Sequence, residues 1–151
     1  MNLNEHPEVV NFPEIHYVFV ERVGPFMENA SVAWQQLHTF AAALSEDNRI
    51  TGGMALYKMG PKIYRAGFSI AGPPAKLPDG LKYERFHGGK YLQFELTGPY
   101  SDLPAASGRA WAIVGEKKIE LRDDFAIENY MNDPKSTAPE NLVTHIMVPM
   151  V

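Results

Sequence analysis

Glu128 and Tyr130 stand two residues apart in Phe125-Ala126-Ile127-Glu128-Asn129-Tyr130-Met131, a mostly apolar stretch that ends in the turn Asn132-Asp133-Pro134. Alternation along a strand puts Ala126, Glu128 and Tyr130 on one face and Phe125, Ile127 and Asn129 on the other. On an enclosed face, a carboxylate beside a phenol is a receptor for a cation, or an acid/base pair. On an open face Glu128 is a solvated surface residue, as most glutamates are.

No other chemistry-bearing pattern competes with this pair. His16, His38, His87 and His145 lack metal-ligand spacing, and His6 lies near the start of the chain; no metal and no cofactor are expected. There is no Gly-x-Ser-x-Gly and no phosphate loop, and Gly52-Gly53 and Gly88-Gly89 read as turns or bulges. Glu21 and Glu95 each precede a Gly-Pro step and are explained as solvated strand edges. Without cysteine, disulfides, thiolate metal sites and thiol nucleophiles are excluded.

The chain of 151 residues fits one domain or two small fused modules. Its formal charge of -4 gives no broad positive field, so direct DNA binding is not expected. No basic segment followed by an apolar run opens the sequence, and no stretch approaches the length of a membrane span, so a cytoplasmic location is expected.

The elements that must position the pair follow from pattern. Residues 1–13 are polar and read as a flexible leader. Ile15 to Val23 is a strand rich in β-branched and aromatic residues that stops at Gly24-Pro25. A helix follows, capped by Asn29 or Ser31, with Ala33, Leu37, Phe40 and Leu44 on one stripe. Thr51–Lys58 and Lys62–Ile70 form a strand pair around Met59-Gly60-Pro61, and the proline-rich stretch 73–80 is the linker. Beyond it come strands at Lys82–Phe86 and Lys90–Thr97, a helix opened by Pro104, and a last strand pair, Phe125–Met131 and Leu142–Val148.

The order is repeated, and so are its punctuation marks. Gly24-Pro25-Phe26 recurs as Gly98-Pro99-Tyr100, and Tyr57-Lys58-Met59-Gly60-Pro61-Lys62 as Tyr130-Met131-Asn132-Asp133-Pro134-Lys135. Trp34 and Trp111 occupy comparable helices. The expected fold is α+β: two fused strand-helix-strand-strand modules (14–72 and 81–151) with pseudo-two-fold symmetry, antiparallel strands, two helices and a groove between the modules. Tyr57 aligns with Tyr130, so Ala55 stands where the second half has Glu128. A chemical asymmetry sits there on an otherwise repeated scaffold.

The sequence resembles the GyrI-like effector-binding domains, found alone in gyrase-inhibitory proteins and as sensor domains of AraC-type and BmrR-type regulators. The resemblance is carried by Val23-Gly24-Pro25-Phe26, Ala33-Trp34, the strand Gly52 to Tyr57, Leu96-Thr97-Gly98-Pro99-Tyr100, and the run Ile127 to Pro134 followed by Pro139-Glu140-Asn141-Leu142 and His145-Ile146-Met147-Val148-Pro149. It implies a groove lined by aromatics and methionines around a buried acid that faces lipophilic, often cationic, ligands. The acid maps onto Glu128; Tyr130, Tyr57, Trp111, Met54 and Met147 are the candidate walls. The short polar start leaves no room for a helix-turn-helix, so none is expected. A lipophilic or cationic small molecule is therefore the expected partner. Two alternatives stay open: hydrolysis of electrophilic, cyclopropane-type toxins with Glu128 and Tyr130 as working groups, and gyrase-inhibitory or toxin-protecting action through protein contact.

Overall fold

The computed structural model describes residues 1–151, and its strands pair antiparallel throughout. Two compact units emerge, Pro13–Gly88 and Met1–Phe12 with Gly89–Val151. In the first unit, strands β2 (Ile15–Val23), β3 (Ile50–Lys58), β4 (Ile63–Ile70) and β5 (Lys82–Phe86) lie in the order β3-β4-β2-β5. Helices α1 (Phe26–Thr39) and α2 (Ala41–Asp47) belong with them. In the second unit, β1 (Asn2–Phe12), β6 (Gly89–Thr97), β7 (Ala126–Tyr130) and β8 (Val143–Pro149) lie in the order β7-β8-β6-β1, with helix α3 (Leu103–Glu116). Connectivity is the same in both: strand, helix, hairpin, plus one added edge strand.

That edge strand corrects two expectations. Residues 1–13 are not a leader: β1 runs alongside β6 from Asn2 opposite Thr97 to Phe12 opposite Gly89. Its polarity is that of an edge strand with most side chains in water, and Pro7 sits where the register slips between Asn4 and Glu8, a place an edge tolerates a missing N–H. The module boundaries shift as well. The strand Lys82–Phe86, expected to open the second module, pairs with β2 and completes the first unit. Each half of the chain thus begins with a strand that it lends to the other half's unit.

A Gly-Pro step starts both main helices. Gly24 and Gly98 take φ of 134° and 145°, a region that favours glycine, and the following proline supplies a fixed φ without a donor to orphan. Asn29 is not the helix cap. Helix α1 starts at Phe26, and Asn29 in its first turn donates to the Pro25 carbonyl at 2.9 Å while its Oδ1 accepts from Arg22 Nε at 2.7 Å. The stripe Ala33, Leu37 and Leu44 is buried as its spacing requires, although the helix breaks at Phe40 into two pieces.

The strands of each unit bury their helix-facing side. In the second unit Leu92, Phe94, Leu96, Ile146 and Val148 pack against Ala106, Ala110, Ile113 and Val114 of α3. The first unit carries on its opposite face the fully buried Tyr17, whose hydroxyl donates to the Met54 carbonyl at 2.8 Å. Its ring lies over Gly67, where an added Cβ would stand 2.2 Å from the ring. Gly67→Ala is therefore expected to cost about 1–3 kcal/mol through overpacking, read as a lower urea midpoint. An unchanged midpoint would mean that Tyr17 has somewhere else to go. No helix is long and apolar enough to cross a membrane.

Candidate functional site

The pair Glu128 and Tyr130 forms as strand alternation requires. Both side chains are half-buried on β7, and the Tyr130 hydroxyl donates to Glu128 Oε1 at 3.0 Å. The register fixes which face they occupy. Glu128 is opposite Ile146 and Tyr130 opposite Thr144, and Ile146 lies in turn opposite Phe94, so all stand on the face covered by α3. No basic side chain pairs with Glu128. Removal from water raises its pKa above the usual glutamate value, an effect the Tyr130 hydrogen bond only partly offsets.

A third group at the site comes from the helix start. Tyr100, in the 3₁₀ turn after Gly98-Pro99, brings its ring centroid to 5.3 Å from that of Tyr130 at an interplanar angle of 60°. Burial and the negative charge of Asp133 push its hydroxyl pKa up. The sequence held the signal for Tyr100 in the repeated Gly-Pro-aromatic step: in the first unit Phe26 meets Tyr57 at 5.8 Å in the same way. The step that marks the turn also delivers a ring to the end of β7.

The Asn-Asp-Pro turn holds the end of β7 in place. Asn132 donates from Nδ2 to the Asn141 carbonyl and accepts at Oδ1 from the Val143 N–H, each at 3.0 Å. The Gly98 N–H donates to the Leu142 carbonyl at 2.8 Å, which joins the same loop to the entry of the helix segment. The loop thereby ties the residues bearing Tyr100 and Tyr130 together.

The remaining candidates distribute as follows. Trp111, half-buried on α3, packs against the same core as the sheet face that carries Glu128. Met147 does not share that face: it is opposite Ile127 and is buried on the other side of the sheet. Tyr57 and Met54 belong to the first unit, buried on opposite faces of β3. Tyr57 meets Phe26, which also contacts Tyr64, and the Tyr64 hydroxyl accepts from Trp34 Nε1 at 2.9 Å. Ala55 occupies the place of Glu128, opposite Ala66.

The two other strand glutamates are engaged. Glu21 accepts from Arg65 Nε at 2.8 Å and lies 3.5 Å from Lys82 Nζ; burial raises its pKa, but Arg65 and Lys82 more than reverse this. Arg65 also pairs with Glu84 and stacks 4.3 Å above the Phe19 ring. Glu95 meets His145 at 3.1 Å. Neither has the unpaired, desolvated character of Glu128. No three His, Asp or Glu side chains converge as metal ligands.

A model of the GyrI-like small molecule binding domain matches residues 5–151. The chain belongs to the GyrI-like family. No curated protein matches the sequence. Solved structures similar to this GyrI-like domain include the C-terminal domain of EcmrR, at 13% identity over 100% of this chain and 99% of that one, with a TM-score of 0.81. The protein SAV2435 bound to tetraphenylphosphonium is similar at 14% identity over 97% and 94%, TM-score 0.75. A hydrolase from Listeria innocua is similar at 16% identity over 98% and 93%, TM-score 0.59. At these identities the likeness is one of fold.

Proposed function

We propose that this GyrI-like domain captures lipophilic cations beside Glu128, whose carboxylate supplies the counter-charge while the Tyr130 and Tyr100 rings, with Trp111, supply apolar and cation-π contact. The observation that carries the reading is a desolvated carboxylate with one phenol as its hydrogen-bond partner and no basic neighbour. Such a group is costly to ionise alone, and a bound cation offsets that cost. The tetraphenylphosphonium bound by SAV2435 is a ligand of the expected chemistry on a similar fold.

Two ions of one shape and opposite charge test this. Tetraphenylphosphonium should raise the melting temperature by several degrees at a hundredfold excess over its dissociation constant, equivalent to about 2.7 kcal/mol. Tetraphenylborate should give no shift. Equal responses would leave an apolar surface with no role for the carboxylate.

A hydrolytic reading draws on the same pair, since a carboxyl whose pKa is raised by burial, hydrogen-bonded to a phenol, is a group that can hold and transfer a proton. Its test is consumption of an electrophilic, cyclopropane-bearing compound followed by mass spectrometry. A product formed by the parent and not by Glu128→Gln would replace the binding reading with this one.

A further inference from the structure

Thr144 lies on β8 directly across from Tyr130, on the face that carries Glu128. Its side chain is wholly shielded, with 0% exposure, and its Oγ1 has no hydrogen-bond partner. A buried hydroxyl left bare is destabilising, and in folded proteins such a group calls for a reason.

The first unit shows what the same position looks like when packing alone decides. There Tyr64 stands opposite Tyr57, and its hydroxyl is satisfied by Trp34. At least four positions of this face differ in the second unit, among them Ala66, whose place is taken by the larger Ile146. Ala55 is replaced by Glu128 and Tyr64 by Thr144. The helix position of Trp34 falls to Ser107 or Gly108, according to whether the helices are matched by their buried residues or by the Gly-Pro-aromatic step. Two large rings have given way to small side chains on the face that gained an acid. The bulk that Ile146 adds is apolar and supplies no partner for the Thr144 hydroxyl, whereas a ligand group held between Glu128 and Thr144 does.

On adjacent antiparallel strands Glu128 and Thr144 are diagonal neighbours, about 7–8 Å apart. A cation bearing two N–H bonds spans that distance by donating one to the carboxylate and the other to the hydroxyl oxygen. We infer that Thr144 is a second polar anchor of the site and that the site selects primary and secondary ammonium ions over fully substituted onium ions of similar bulk. This rests on Glu128 acting as the counter-charge. A quaternary ion satisfies the charge but leaves the hydroxyl bare.

The test is isothermal titration at pH 7 with an arylalkyl N-methylammonium ion and its trimethylammonium homologue. The parent should bind the secondary ammonium about tenfold more tightly, in line with one hydrogen bond gained by a buried group. Thr144→Val, close to isosteric, should collapse that preference, Thr144→Ala should do the same, and Thr144→Ser should keep it. A parent without preference, or a valine variant that retains it, overturns the proposal; so does an equal weakening of both ions, which would make Thr144 a packing residue. Glu128→Gln binding the quaternary ion as tightly as the parent would remove the counter-charge reading itself, a result separate from any outcome at Thr144.

Discussion

Glu128→Gln is expected to weaken binding of a lipophilic cation by about 2–5 kcal/mol, or thirty-fold to several-thousand-fold, and at the same time to make the unliganded protein more stable at neutral pH. The two effects share one cause. Burial raises the carboxyl pKa, so the folded protein holds this proton more tightly than the unfolded chain. Where the folded state binds more protons, stability falls as pH rises. The penalty is absent below about pH 4, where both states are protonated, grows as pH passes through the raised pKa, and is complete above it. Glutamine has no proton to lose and still accepts the Tyr130 hydrogen bond. Melting curves of parent and variant should therefore coincide in acid and separate toward neutrality, the variant melting higher by about 2–4 °C per kcal/mol relieved. Cation affinity of the parent should rise over the same interval, because binding requires the ionised form. A variant that is less stable at pH 7 would make Glu128 a structural acid.

Deleting residues 2–12 is expected to destabilise the second unit by several kcal/mol, since β1 pairs with β6 along most of its length and each ladder hydrogen bond is worth about 0.5–1.5 kcal/mol. Leu3 would leave the core of that unit, the Phe12 ring would leave Tyr91, to which it stands edge-on at 6.2 Å, and Arg109 would lose Glu5 at 2.9 Å. The last loss is small, because that ion pair is exposed. Urea unfolding reads the total, and hydrogen exchange locates it: β6 amides should lose protection while β2 and β4 amides keep theirs. Unchanged stability would restore the polar leader that composition suggests.

That contrast marks how much was legible in the sequence. Strands with a buried face announced themselves: β2, β4, β6 and β8 carry β-branched and aromatic residues at the expected positions because their burial demands it. β1 did not, because an edge strand exposed along most of its length is under no such demand, and Pro7 hides it further. Glu128 and Tyr130 were legible through strand alternation alone. Met147 was misjudged as a neighbour of Glu128 because composition names a suitable side chain but only register assigns its face, and here Met147 answers to Ile127. Thr144 gave no sign of its own; its hydroxyl is notable only once burial shows that nothing bonds to it.

The crossing of the two initial strands bears on how such a chain could arise and be divided. A half-length polypeptide with one strand-strand-helix-hairpin repeat would have a sheet edge it cannot cover and a first strand it cannot use. Two identical copies would solve both problems by reciprocal exchange, so the duplicated chain has the connectivity of a swapped homodimer whose ends have been joined. Fragments cut within the 73–80 stretch should accordingly be poorly folded apart and recover structure when mixed. What covalent linkage added was the freedom for one repeat to acquire an acid, Glu128, that its twin does not have to carry.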